Sequence, residues 1–166
     1  MTPEVGVDAD ESAPISEDEL VAARARQMRA ELDLLGKPAP TLSVSRWIQG
    51  TGNLGSAKVT LLVFFEAEDS DRDALAIVEA LWRRHRDAGL AVIGLTRESD
   101  LHPAPTISAW LRRVAITFPV GLDAEGATAE AWRRSSTLSG ALVREGRVAW
   151  TGNPARVTDA LLADHL

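Results

Sequence analysis

The sequence predicts a three-layer α/β sandwich around a central mixed β-sheet, preceded by a separate N-terminal helix. Three observations carry that prediction. Residues 59–65 (VTLLVFF) and Leu90–Thr96 (LAVIGLT) are apolar on both faces of a strand, the pattern of strands inside a sheet covered on both sides. Between them Ala74, Val78, Leu81 and His85, flanked by Leu75, Ile77 and Trp82, recur at helical spacing, so strand, helix and strand form a parallel unit with a right-handed crossover. Residues 141–144 and 147–150 flank Glu145-Gly146, a two-residue connection of hairpin type, which adds antiparallel strands to the same sheet.

The elements follow in order. Residues 1–15 mix acids, Pro, Gly and Ser with almost nothing to bury and are expected to be a disordered acidic tail. Ser16 with Glu19 three residues on forms a capping box, and Val21, Ala25, Met28, Leu32 and Leu35 then recur at helical spacing. Gly36 stops this amphipathic helix, and Pro38 and Pro40 keep it from resuming. Its apolar stripe over residues 16–36 requires packing on the main domain or on a partner. The main domain spans 37–166. It opens with an extended piece over 41–45 and a Gly-rich loop through Ser56. After the parallel unit come a helix over 107–114, a short strand over 118–120, a helix over 127–134, the hairpin, and a last helix over 154–163.

Composition excludes several functions outright. None of the 166 residues is cysteine, so disulfides, thiolate metal sites, cysteine nucleophiles and thiol redox chemistry within the chain are impossible. With 45% hydrophobic and 25% charged residues, the chain suits one domain that buries its own core without staples. The net charge of -6 is a tail effect: residues 1–20 hold seven acids and no Lys or Arg, and the rest carries 17 acids against 18 bases. Such a near-neutral body offers no strong footprint for nucleic acid. With neither a secretory pattern nor an apolar run of membrane-spanning length, the expected setting is soluble and cytoplasmic, without membrane contact.

Five segments in order resemble the thioredoxin-like redoxins, and more closely the TlpA-type thiol-disulfide oxidoreductases, relatives of peroxiredoxins. They are GKPAPTLSVSRWIQG, the strand into FFEA, GLAVIGLT, ITFPVGLDAEGATAEAW and ALVREGRVAWTGNPARVTDALL, together covering about residues 36–163. The resemblance implies a thioredoxin-like α/β sandwich in which strand 59–65 is central and 141–144 runs antiparallel to it. It also implies a C-x-x-C at the mouth of the helix after the central strand, and those positions hold Ser70 and Asp73. That motif works because the positive end of the helix dipole lowers the first thiol's pKa while the second resolves the mixed disulfide. A serine hydroxyl there is a far weaker nucleophile and needs an adjacent base. The family's cis-proline before the hairpin is also missing, because the matching stretch reads Ser136-Thr137-Leu138-Ser139. A non-proline cis bond at Thr137 or Leu138 would cost about 3 kcal/mol.

Other chemistry-bearing patterns have a structural and a functional reading each. In EAEDSDRD, residues 66–73, Ser70 is a good N-cap and Asp73 its capping-box partner, with Asp71 beside the dipole's positive end. The same stretch gives Asp69, Asp71 and Asp73 the alternate spacing of a calcium loop's first ligands, although Ala74 and Ala80 stand where that loop needs Gly and Glu. Residues 50–55 spell G-x-G-x-x-G, but a strand follows where a dinucleotide site needs a helix. His85 reads as a core-edge residue, and His102 and His165 share no ligand spacing with it. The Arg pairs 83–84, 112–113 and 133–134, with Arg86, are solvated helix faces or a phosphate-binding surface. Trp47, Trp82, Trp110, Trp132 and Trp150 mostly read as core.

The expected function is a redox-inactive, protein-binding or scaffolding module that keeps the fold without the C-x-x-C and cis-proline. The alternative is thiol-disulfide oxidoreductase or antioxidant activity, as in the family, through an external thiol. The first reading needs no catalytic residue, cofactor or metal. Its partner is another protein, not nucleic acid or membrane, reached through the N-terminal helix or the loops at 66–73 and 136–140.

Overall fold

A computed structural model describes residues 14–133 and 138–166. The expected tail therefore lies outside the described residues up to position 13, as do Ser136 and Thr137 of the cis-proline stretch. The elements are α1 (Glu17–Leu32), β1 (Val44–Gln49), β2 (Val59–Phe64), α2 (Arg72–His85), β3 (Leu90–Thr96), α3 (Ala104–Arg113), β4 (Val120–Asp123), α4 (Ala127–Ala131), β5 (Ser139–Arg144), β6 (Arg147–Gly152) and α5 (Asp159–Ala163).

Six strands form one mixed sheet in the order β1-β4-β3-β2-β5-β6. Strand β2 is parallel to β3 and antiparallel to β5, with Val59 opposite Leu90 and Arg144, so it is central as expected. All six of its residues are buried, which is what an apolar run on both faces requires. On one face Leu61, Val63 and Val92 pack against Leu75, Val78 and Leu81 of α2, Ile107 and Leu111 of α3, and Leu162 of α5. On the other face Leu62, Phe64, Ile93 and Leu95 pack against Trp132, just past α4, and Leu34, just past α1. Because α4 is only five residues long, this second face is thinly covered. The β5–β6 turn is built by Glu145 at φ 53° and Gly146 at φ 75°, the left-handed pair that a two-residue hairpin of this hand needs.

Several expected boundaries move. The strand expected over 41–45 is displaced to Val44–Gln49, an edge strand with two register shifts against β4, so Trp47 is in the sheet and not in the Gly-rich loop. The strand expected over 118–120 begins at Val120 instead, and the Gln49 side-chain amide donates to the carbonyls of Ile116 and Phe118 at 2.9 and 2.8 Å in the approach to it. The helix expected over 107–114 already begins at Ala104, directly behind Pro103. The last helix splits into a 3-10 turn, Pro154–Arg156, and α5, because Val157 and Thr158 are extended and the Thr158 hydroxyl caps Leu161 N at 3.1 Å.

Helix α1 starts on the expected capping box, with Glu19 N donating to Ser16 Oγ at 3.1 Å, and ends at Leu32, four residues short of Gly36. It packs on its own domain. Leu34 is buried, Gln27 donates to the Arg133 carbonyl at 2.7 Å, and the chain at 36–39 pairs with β6 through Gly36 N to Val148 O and Val148 N to Lys37 O. The stripe predicted to be covered is not the face that docks: Val21 is 64%, Met28 62% and Leu32 54% exposed.

Candidate functional site

Ser70 and Asp73, the positions that the resemblance matches to the C-x-x-C, lie just after β2 and at the start of α2. Ser70 falls inside a 3-10 turn, Asp69–Asp71, that runs directly into the helix, so it is not the N-cap that the sequence predicts. Extended Glu68 precedes the turn, and neither Glu68 nor Asp71 makes a side-chain cap bond to the helix. Asp71 instead reaches backward and accepts from Glu66 N at 2.9 Å, closing the loop that leaves β2. Asp69 turns sideways to α3, accepting from the Trp110 indole at 3.1 Å and from Arg113 at 3.4 Å. The alternate aspartates are thus committed to different neighbours. No group of three or more potential ligands is assembled among the described residues. Ser70 and Asp73 are exposed at the helix mouth.

The far side of the mouth is the approach to β5. Leu138 is half-buried against the core, and Ser139 pairs with Phe64 at the end of β2, so the chain entering β5 borders the exit of the central strand. No peptide bond among the described residues is cis. The Ser139 hydroxyl is buried without a hydrogen-bond partner, as are those of Thr60 and the Trp132 indole N–H.

Next to the mouth, outside the carboxyl ends of β2, β3 and β4, lies a cleft of about 560 Å³. Open α/β sheets commonly place ligands at this end of their strands. Phe64, Phe65, Leu95 and Ala129 supply an apolar floor, and Glu66, Glu98, Glu125 and Glu130 an acidic rim interrupted by Arg97. Two of the cleft's acids hold helices in place. Glu98 accepts from Ala104 N at 2.8 Å and caps α3, whose preceding residue, Pro103, has no side-chain donor or acceptor. Asp123, buried, accepts from Thr128 N and Ala129 N at 2.7 and 2.9 Å and caps α4. His102, which the sequence left alone, lies in this cleft, 3.4 Å from Glu68. None of these roles was visible in the sequence, since each partner is set by the fold and not by a motif.

The remaining candidates resolve individually. His85 sits at the core edge with Nε2 2.6 Å from Asp159 Oδ1, and Arg84 meets the same carboxylate at 3.2 Å. The hydrogen bond from His85, then that from Arg84, hold the Asp159 carboxyl below its usual range. Among the described residues the arginines do not gather on one face: Arg83 pairs with Glu79, Arg84 with Asp159, Arg113 with Asp69 and Arg133 with Asp33, while Arg86 lies over Trp82 and Arg134 lies outside the described residues. The glycine loop at 50–55 closes on itself, Asn53 accepting from Gly55 N at 3.0 Å, and leads to β2 without a helix. Trp110 and Trp132 are buried, and Trp47, Trp82 and Trp150 half-buried.

A central strand parallel to one neighbour and antiparallel to the next, a helix mouth after it, and a hairpin and helix to finish define a thioredoxin-like fold. The likeness extends to solved structures. A protein assigned as the thiol:disulfide interchange protein DsbE of Chlorobium tepidum superposes with a TM-score of 0.67 at 16% identity, over 79% of this chain and 96% of that one. A thiol-disulfide isomerase from Corynebacterium glutamicum gives 0.65 at 23% identity, over 77% and 92%. The thioredoxin domain of a thiol-disulfide oxidoreductase from Bacteroides vulgatus gives 0.65 at 13%, over 80% and 98%. No protein-family model matches the sequence, and no curated protein matches it. At these identities the likeness is one of fold, and this chain carries that fold without a cysteine.

Proposed function

We propose that this protein is a redox-inactive thioredoxin-like module that binds a segment of another protein. The observation that carries the reading is the composition of the helix mouth. Ser70 and Asp73 stand at the thiol positions, and the neighbouring Asp69 and Asp71 are spent on structural hydrogen bonds. Among the described residues no base is bonded to Ser70, so their geometry gives its hydroxyl no activation. The cleft beside the mouth supports binding. Its apolar floor and polar rim suit an extended segment laid across the ends of the strands beside the 66–73 loop, while the first two residues of the 136–140 loop lie outside the described residues. A cytoplasmic setting belongs to the same proposal; among the described residues no helix is long and apolar enough to cross a membrane.

The alternative is the thiol-disulfide chemistry that the structural neighbours' names describe, with an outside thiol supplying the sulfur. Insulin reduction and peroxide consumption, each with dithiothreitol and with glutathione, separate the two. The proposal expects rates equal to buffer. Turnover that rises with protein concentration rejects it. On the binding side, affinity purification should recover a partner that is lost when Phe65, Glu66 and Ala67, which line the cleft, are replaced. Recovery indifferent to that change counts against the cleft.

A further inference from the structure

Resting on the reading of the cleft as the binding surface, we propose that its occupant is a basic segment, an extended stretch of another protein that presents arginine or lysine to it. Outside residues 1–20 the chain is near neutral, yet five carboxylates line this one cleft, those of Glu66, Glu98, Asp123, Glu125 and Glu130, against the single arginine Arg97. Glu98 and Asp123 are engaged in capping α3 and α4. The other three acids are exposed, and their carboxylates enter no hydrogen bond or ion pair among the described residues. Arg97 does not compensate them. Its guanidinium lies against Gly126, where an added Cβ would come within 3.2 Å of its Cζ, and it enters no ion pair among the described residues.

Exposed acids are ordinary on a solvated surface, but these rim an apolar floor of Phe64, Phe65 and Leu95, which concentrates their field in the cleft. Thr96 adds an independent sign of a ligand. It lines the cleft at 4% exposure, and its hydroxyl has no hydrogen-bond partner among the described residues. Unlike the orphaned hydroxyls of Thr60 and Ser139, it belongs to a residue of the cleft lining. Buried hydroxyls are normally satisfied, so this one is left for a group that enters from the cleft.

The two halves of the cleft select the occupant. An arginine or lysine side chain lays its aliphatic stem along an apolar surface and keeps its cationic head at the polar edge, which matches a floor of Phe and Leu under a rim of carboxylates. A guanidinium also meets a carboxylate with two parallel hydrogen bonds. The Thr96 hydroxyl can accept one more N–H, from the side chain or from the main chain of the segment. In an extended segment alternate side chains face the same way, so every second position is read by the cleft. An acidic or neutral segment would instead cover the rim carboxylates without pairing them, which is costly. The chain's own first twenty residues, with seven acids and no Lys or Arg, carry the wrong sign to fold back into this site.

Fluorescence anisotropy on the full chain tests this with three labelled peptides of about nine residues, alternating leucine with arginine, with glutamate or with serine. The arginine peptide should bind about tenfold more tightly than the serine peptide, the glutamate peptide least, and the preference should shrink as salt rises from about 20 to 300 mM. Glu125→Gln with Glu130→Gln should weaken the arginine peptide about fivefold, and Arg97→Gln should strengthen it about twofold. Thr96→Val, which keeps the side chain's shape, should weaken it about threefold with no loss of stability. Glu17→Gln with Asp18→Asn, in the acidic first turn of α1, should leave binding unchanged. Circular dichroism checks that each variant is folded. If the serine or glutamate peptide binds best and the Glu125 and Glu130 changes or Thr96→Val alter its affinity, the basic occupant is overturned while the cleft stands as a binding surface. Arginine-peptide binding that ignores the cleft changes and follows those at Glu17 and Asp18 overturns it too, as attraction to the helix end alone. Absence of cleft-dependent binding by every peptide overturns both the occupant and the binding surface.

Discussion

Replacing Glu79 with alanine is the most demanding test of how this fold is held. Glu79 sits on the buried face of α2, and its carboxylate reaches across to the chain entering β4. It accepts from Thr117 N at 2.8 Å, the Thr117 hydroxyl at 2.6 Å and Phe118 N at 3.2 Å, with Arg83 Nε at 2.7 Å completing the set. Burial pushes the carboxyl pKa up, but the bonds from Thr117, Arg83 and Phe118 together outweigh it and hold the group below its ordinary 4.5. Alanine leaves Phe118 N, which is buried, without its acceptor, at about 1–3 kcal/mol. Thr117 is exposed, and water recovers part of its loss. The sum is about 3 kcal/mol, or a fall of roughly 6–12 °C in Tm for a chain of this size. Glu79→Gln keeps one acceptor and should lose about 1–2 kcal/mol. Arg83→Ala, whose side chain is 57% exposed, should lose less than about 0.5 kcal/mol. Because the folded pKa is depressed, this stabilisation is complete above 4.5 and disappears as pH falls through the lower folded value. Urea melts of wild type and Glu79→Gln between about pH 7 and 3 should therefore converge at the acid end. A loss below about 1 kcal/mol for alanine, or a gap between wild type and Gln that ignores pH, would refute the latch.

Three further outcomes follow from the same packing. Thr60→Val replaces a fully buried hydroxyl that has no partner, and should raise stability by about 0.5–1 kcal/mol in a thermal melt. Gly94→Ala puts a methyl 2.9 Å from the Phe118 ring and 3.0 Å from that of Phe65 inside the main core, and should lose about 1–3 kcal/mol. His85→Ala removes the main hydrogen bond holding the Asp159 carboxyl down, so by NMR that group should titrate closer to its ordinary 3.8; an unmoved midpoint would assign the depression to Arg84.

What the sequence made legible is what burial on two faces writes into it. The runs at 59–65 and 90–96 had to lie inside a covered sheet, and their parallel pairing with the helix between them followed. β1 was harder, because VSRWIQ is an edge strand with only half-buried and exposed positions and two register shifts. β4 was displaced because Val120–Asp123 contains Gly and Asp, both poor strand formers, while the more strand-like Phe118 is bound by Glu79 and Gln49 instead. The apolar stripe of α1 was readable as a stripe, but periodicity does not say which face the domain takes. Gln27, a polar residue, marks the docked side by a hydrogen bond to Arg133, 106 positions away. Glu98 and Asp123 escaped for a related reason. Each caps a helix five or six residues onward across an irregular connection, outside the three-residue spacing of a capping box.

The proposed loss of thiol chemistry at the helix mouth also has an electrostatic side, and Ser70→Cys tests it. A thiol in the first turn of a helix gains from the dipole's partial positive charge, about half a unit, and such cysteines are commonly strongly acidified. Here Asp69, Asp71 and Asp73 surround that position within three residues, so a thiolate would form among three carboxylates. Arg113 and the Trp110 indole compensate Asp69, and Asp71 is turned toward Glu66 N, which leaves Asp73, exposed in the first turn of α2 and in no ion pair among the described residues, to bear on the new thiolate. The opposing terms are of similar size, so the Ser70→Cys thiol should ionise near an unperturbed cysteine, about 8.5. Iodoacetamide alkylation rates across pH measure it directly, and Asp73→Asn in the same background should lower the midpoint. A midpoint below about 7 in the single variant would show a mouth still electrostatically fit for thiol chemistry. In that case only the sulfur atoms were removed, and the reading of this module as remade for binding would lose its electrostatic support.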